Sequence, residues 1–341
     1  MSKIILTAAV LGFSTFAFSQ ADSSSYYLGK AREEGANGRK METMKQLEKA
    51  YSFNKTNRDV VAELATTYME LRRYPQAKEK FLQLESMGDH SVNTYKNLLT
   101  LAFNSRQFPE AIKYAQLVKK ADPAQNVSYF IGKAHYETEN LGEAIKFLDA
   151  ASKEEPANAE VPYMIARAYA DMQNFKQAIP YFQKAVALKP TDSRWIYEMA
   201  LIYYGMNDDK NALKYMLEAG EKGYRKDNEY FQNLSIAFLN AGQFDEGIKI
   251  LTDALQRRPS DISLINTVAE AYYDAKKYDD AIRYWDQLLT MDKTNAEALY
   301  MIGLSYQKKG DKQKGMALCD KAIAMDPSLK SLKQEKKMPG M

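Results

Sequence analysis

Residues 142–145 read Gly-Glu-Ala-Ile, residues 176–179 Lys-Gln-Ala-Ile and residues 210–213 Lys-Asn-Ala-Leu. Ala144, Ala178 and Ala212 therefore stand 34 residues apart, each in the same local phrase. A fixed period of this length is the mark of a repeat architecture, so repeats are sought here before domains. Extended in both directions, the frame gives units 24–57, 58–91, 92–124, 125–158, 159–192, 193–227, 228–261, 262–295 and 296–329. All have 34 residues except 92–124, with 33, and 193–227, with 35.

Each unit carries two helical patterns. In 159–192 the first helix places Ile165, Ala166 and Tyr169 at helical spacing, and Met172-Gln173-Asn174 forms a turn. The second helix carries Phe175, Ala178, Phe182 and Ala185 on one face, and Pro190 stops the chain beyond it. Two helices this short cannot close a core alone, so each pair must bury its apolar faces against neighbouring pairs.

Residue types at fixed positions give the reason. The eighth position is Ala31, Ala65, Leu99, Gly132, Ala166, Ala200, Ser235, Ala269 and Gly303, small everywhere but at Leu99. The twentieth is Ala at 77, 111, 144, 178, 212 and 281, Gly at 247 and 315, and Thr43. The twenty-seventh is Ala at 50, 151, 185, 219, 254 and 322. Small residues mark places where two helices approach closely. Rings recur at the eleventh position as Tyr68, Tyr169, Tyr203, Phe238, Tyr272 and Tyr306, filling gaps within and between hairpins. Pro at 123, 156, 190, 259 and 327 forces the turn between units.

This pattern resembles the tetratricopeptide repeat (TPR) family over nearly all of the chain. The resemblance implies an all-α fold: a right-handed α-solenoid of about nine 34-residue helix-turn-helix units over 20–329, with a short C-terminal capping segment. Two departures stand out. The family's frequent Trp at the fourth position is missing, Trp195 lying one residue early and Trp285 in a second helix. The first unit has Lys30 and Glu34 at usually apolar positions, as suits a terminal repeat facing water on one side. Pentatricopeptide repeats are slightly longer and need a basic groove for reading RNA, which this chain does not offer.

Composition narrows the function. The 341 residues hold 47 Lys plus Arg against 44 Asp plus Glu, a net charge of +3 that supports no nucleic-acid footprint. One cysteine, Cys319, excludes an intramolecular disulfide framework, and two histidines, His90 and His135, leave little for a metal cluster. Residues 1–19 read as a secretory signal peptide: Lys3, an apolar run from Ile4 to Phe18, and Ala17-Phe18-Ser19 before a cut between Ser19 and Gln20. The run is short of the ~20 residues that span a bilayer. The resemblance is to export signals of Gram-negative envelope proteins, so the expected location is exported: periplasmic, envelope-associated or secreted. No stable membrane insertion is expected after cleavage. Residues 330–341 form a Lys-rich tail, in which Leu329 and Leu332 are expected to start a short cap over the last hairpin. Two glycines and the extra residue near 220–228 allow either a hinge or a tolerated loop variant.

No catalytic set emerges: there is no phosphate-binding glycine loop, no His-Glu-x-x-His and no nucleophile elbow. Cys319 takes a position where other units place Phe81, Leu148, Phe182 and Leu251, and reads as a buried thiol. His135 stands where other units place rings, and His90 falls in a surface turn. Neither an enzyme nor a cofactor is expected. The family builds its concave surface from first-helix positions two, five, nine and twelve. Those positions here include Lys96, Tyr129, Lys133, Tyr136, Tyr163, Arg167, Arg194, Tyr197, Tyr204, Tyr273 and Tyr300. Rings beside cations suit an extended peptide of another protein, with roughly half of the named residues expected to face solvent. The clamp that grips a C-terminal carboxylate in some family members is missing, with Thr100, Phe130 and Glu160 at its positions. The expected function is an exported scaffold binding a partner protein in its groove. The alternatives are edge-docking into an envelope or secretion assembly and, third, an enzyme acting on envelope polysaccharide, which would need paired carboxylates of raised pKa.

Overall fold

A computed structural model describes residues 23–330, so the expected cleavage site at Ser19–Gln20 and the tail after Lys330 lie outside the described residues. Every regular element in the described residues is helical. The chain divides at Gln173/Asn174 into two compact units. In the first, α1 (23–36) is followed by α2 (Lys40–Phe53), α3 (Arg58–Glu70), α4 (Tyr74–Ser86) and α5 (Val92–Asn104). Next come α6 (Phe108–Ala121), α7 (Ser128–Glu137), α8 (Leu141–Glu154) and α9 (Glu160–Asp171). The second unit holds α10 (Phe175–Leu188), α11 (Ser193–Gly205), α12 (Asp209–Glu221), α13 (Asn228–Asn240) and α14 (Phe244–Arg257). It continues through α15 (Ile262–Asp274), α16 (Tyr278–Met291), α17 (Ala296–Lys309) and α18 (Lys312–Met325), and closes with a 3-10 turn at Pro327–Leu329. Each unit stacks antiparallel helical hairpins.

Several first helices are capped by the side chain of the residue before them. Side chains of Asn57, Ser91, Asp227, Asp261 and Asn295 accept backbone N–H groups from the first turns of α3, α5, α13, α15 and α17. Each such cap is worth about 1 kcal/mol. The turn inside each hairpin has one geometry. The fifteenth residue of each repeat is left-handed: φ is +57° at Arg72 and Arg106, +58° at Asn207, +60° at Lys276, +75° at Gly242 and +103° at Gly310. The next N–H then reaches back across six residues, as from Gln107 to the Ala102 carbonyl at 2.8 Å and from Lys277 to Tyr272 at 2.8 Å. This is the Schellman arrangement, which satisfies carbonyls the helix end would otherwise leave open.

Small residues sit where helices touch. Ala65, Ala166, Ala200 and Ala269 at the eighth position are fully buried, as are Ala144, Ala178 and Ala212 at the twentieth. The backbones of α17 and α18 approach closely, and a Cβ on Gly315 would meet the Gly303 carbonyl oxygen at 2.5 Å. In the first unit one continuous core runs from Leu28 through Leu64, Phe81, Leu98 and Tyr114 to Ile131. In the second unit the core falls into clusters, one around α11–α13 and another around α14–α17. Rings of the eleventh position stack within their hairpins: His135 on Phe147 at 5.5 Å, Tyr203 on Tyr215 at 5.4 Å and Tyr272 on Tyr284 at 5.5 Å.

Both Trp residues are core: Trp195 is 1% exposed, and buried Trp285 donates Nε1–H to the Asn266 side-chain oxygen at 2.9 Å. Cys319 is a buried thiol that donates to the Tyr300 carbonyl oxygen at 3.6 Å. Leu329 is buried against the same cluster, and its expected companion Leu332 lies outside the described residues. The segment after α12 is packed rather than open. Tyr224 stacks on Tyr197 at 4.1 Å and lies 5.9 Å from Tyr230. Gly220 is needed there, since a Cβ would stand 2.2 Å from the Tyr230 hydroxyl.

Candidate functional site

Three first helices of the N-terminal unit supply the site. On α7 the spacing of four and three residues puts Tyr129, Lys133 and Tyr136 on one helix face. The Lys133 ammonium lies 5.6 Å from the Tyr129 ring centroid and 5.7 Å from that of Phe103 on α5. It also donates to the Tyr129 hydroxyl at 3.4 Å. On α9 the Arg167 guanidinium lies 5.3 Å from the Tyr136 centroid and 5.9 Å from that of Tyr163. The Tyr136 hydroxyl donates to Asp171 at 2.6 Å. Rings and cations therefore alternate across α5, α7 and α9, each cation held by ring faces at about 0.5–1 kcal/mol per contact.

All five of Tyr129, Lys133, Tyr136, Tyr163 and Arg167 are half-buried, with part of each still open to solvent. Burial pushes the Tyr136 hydroxyl well above its ordinary pKa, and its bond to Asp171 pushes the same way. Burial also raises Tyr129, against the opposing charge of Lys133. Both hydroxyls thus stay neutral at physiological pH and remain donors. The surface offers cations for carboxylates, flat rings for apolar side chains or peptide planes, and the Tyr129 phenol as a donor for a carbonyl.

The other expected groove residues do not join this cluster. Lys96 on α5 is exposed and lies close enough to Asp122 to help hold that carboxylate ionised. In the C-terminal unit, Arg194 pairs with the buried Asp192 at 3.1 Å, Tyr204 is 42% exposed, and Tyr273 packs edge-on to Trp285 at 5.9 Å. Tyr197 and Tyr300 correct the expectation, being 4% and 3% exposed. Tyr197 stacks on Tyr224, lies tilted against Tyr230 at 6.0 Å and accepts an Asn233 amide proton, while Tyr300 belongs to the α17–α18 core. Neither presents a binding surface. Phe103 and Asp171 were not anticipated. Phe103 sits at the twelfth position of its repeat, a usable signal, whereas Asp171 lies one position beyond that set.

Carboxylates of raised pKa do occur. Burial raises Glu270 on α15, and Glu297 and Asp274 add to it, against the Asn266 amide bonded to it at 3.0 Å. Asn266 in turn takes the Trp285 proton, so Glu270 ends a structural chain. Among the described residues no group of three or more His, Cys, Asp or Glu is placed to hold a metal ion. Among the same residues no helix is long and apolar enough to cross a membrane.

Tetratricopeptide repeat family models match residues 96–159, 135–195 and 268–329, the stretches that contain α7, α9 and α16–α18. The chain is a tetratricopeptide repeat protein. TPR arrays are protein-interaction scaffolds, and that is the broad class of this molecule. Among solved structures it is similar to YrrB, a TPR protein with an unusual peptide-binding site. That match has 19% identity over 56% of this chain and 98% of YrrB, with a TM-score of 0.43. A TPR protein from Parabacteroides merdae matches at 16% identity over 70% of this chain and 96% of its own, with a TM-score of 0.44. MamA matches at 22% identity over 51% and 94%, also with a TM-score of 0.44. No curated protein sequence matches this one.

Proposed function

We propose that this TPR protein is an exported, non-enzymatic scaffold that holds an extended segment of another protein across α7 and α9. One observation carries the reading: Lys133 and Arg167 are fixed among the rings of Tyr129, Tyr136 and Tyr163. Tyrosine gives large contact area at small rotamer cost, and the interleaved cations select segments bearing carboxylates. Export rests on the signal-like residues 1–19, and the working location is the periplasm or cell envelope.

The test is crosslinking in an envelope fraction, with the captured protein identified by mass spectrometry. Replacing Tyr129, Lys133, Tyr163 and Arg167 by Ala together is expected to lower recovery of that partner at least tenfold, with helical circular dichroism retained. Undiminished recovery from the folded variant overturns the face as the binding site and leaves edge-docking as the mode of assembly.

A further inference from the structure

The repeat supplies an internal control, because equivalent positions should be equally buried. In the C-terminal unit the twenty-seventh position is buried at Ala185, Ala219, Leu288 and Ala322, but Ala254 is half-exposed. The fourth position is buried at Ile196, Ile265 and Leu299, but Phe231 is half-exposed. Both exceptions belong to the α13–α14 hairpin. The core breaks at the same place. Tyr230, Leu234 and Ala237 of α13 join the α11–α12 cluster, while Ile248, Leu251 and Leu255 of α14 join the cluster of α15 and α16.

A cavity of about 190 Å³ fills this opened seam between α13, α14 and α15. Phe231, Ile236, Ile250 and Leu264 form its apolar wall, and the rest of the lining is polar, with Gln232, Thr267, Arg257 and Arg258. Cofactor-sized pockets run from about 300 Å³ upward, whereas an apolar cavity of ~150 Å³ accepts a single benzene ring. The size is therefore right for one side chain.

The charge is also specific. Arg258 pairs with Asp261 Oδ2 at 2.9 Å, and Asp261 Oδ1 caps α15 through the Leu264 amide at 3.0 Å. Asp261 is thus fully engaged. Arg257 is exposed and, among the described residues, has no ion-pair partner. A cavity with one apolar wall, beside a guanidinium that no carboxylate pairs, is complementary to a ring next to a carboxylate.

We propose that this cavity is an anchor site for a partner peptide: it takes one aromatic or branched apolar side chain, and Arg257 pairs with a carboxylate on the adjacent residue. The site lies in the other unit from α7 and α9 and stands independently of the proposal for that face.

The probe is the blocked tetrapeptide acetyl-Gly-Phe-Asp-Gly-amide carrying 4-fluorophenylalanine, titrated with the full chain by fluorine NMR. Binding is expected, with at least fivefold weaker affinity when Asp is replaced by Asn or the ring residue by Ala. Ala254→Leu fills the cavity and is expected to weaken binding at least tenfold. Arg257→Gln, at an exposed position that leaves the fold intact, should weaken the Phe-Asp peptide but not the Phe-Asn peptide. No binding of the Phe-Asp peptide at millimolar concentration, equal affinity for the Asn peptide, or unchanged affinity in folded Ala254→Leu each overturns the proposal.

Discussion

At the scale of single residues, the hairpin turns make the sharpest demand. Arg72, Arg106, Glu139, Gln173, Asn207 and Lys276 occupy left-handed backbone that glycine takes without strain. A side chain there costs about 1–2 kcal/mol, partly offset because glycine loses more chain entropy on folding. Lys276→Gly should therefore raise stability by about 0.5–1 kcal/mol, and Gly310→Ala, at φ +103°, should lower it by a similar amount. Thermal melts of both variants check the pair, and a lower melting temperature for Lys276→Gly contradicts it. The sequence hid this position. Only Gly38, Gly242 and Gly310 among the repeats announce it, and the other residues there look like ordinary polar turn residues.

At the scale of the element, α10 carries a proline inside the helix. Pro180 has no N–H to offer the Lys176 carbonyl, and its ring crowds the preceding turn. Nothing around it asks for proline, since Pro180 is exposed while Ala178, Phe182 and Ala185 bury the opposite face. Pro180→Ala should restore that hydrogen bond and stabilise α10 by about 1–3 kcal/mol. The measurement is amide hydrogen exchange across 175–188, which should slow, and exchange left unchanged would show that the missing hydrogen bond costs nothing. The helices themselves were legible. Reading 159–192 placed the turn at Met172–Asn174, and the helices stop at Asp171 and resume at Phe175. Helical spacing and local turn chemistry are properties of the segment, so they survive in the sequence.

At the scale of the molecule, the turns between hairpins couple stability to pH. The carboxyls of Asp122, Asp292 and Asp326 are held below the ordinary value of 3.8 by hydrogen bonds from Gln125, Thr294 and Ser328 respectively. At Asp89 burial pushes upward, but Thr94, Ser91 and Arg58 outweigh it and the net direction is down. A carboxyl lower in the folded chain binds fewer protons there than in the unfolded chain, so folding is favoured above the unfolded value. That contribution is lost as pH falls below about 4 through the depressed folded values. The midpoint of acid unfolding should therefore rise when Asp89, Asp122, Asp292 and Asp326 are changed together to Asn, because the amides keep turn acceptors but cannot ionise. An acid-unfolding midpoint that moves down, or not at all, counts against these turns as the source.

What the sequence determined alone is whatever recurs in phase: the period, the helix–turn–helix units, the small residues at helix contacts and the stacking rings. Each was written repeatedly, and each depends on a residue's place within its own hairpin. Tertiary structure decided the rest. Tyr197 and Tyr129 share one repeat position, yet Tyr224 and Tyr230 close over the first while the second stays half open to solvent. Ala254 and Ala219 share another, yet only Ala219 is sealed by the next hairpin. Exposure at a given position is set by how a neighbouring hairpin lies across it, through contacts between residues distant in the chain that no single repeat contains.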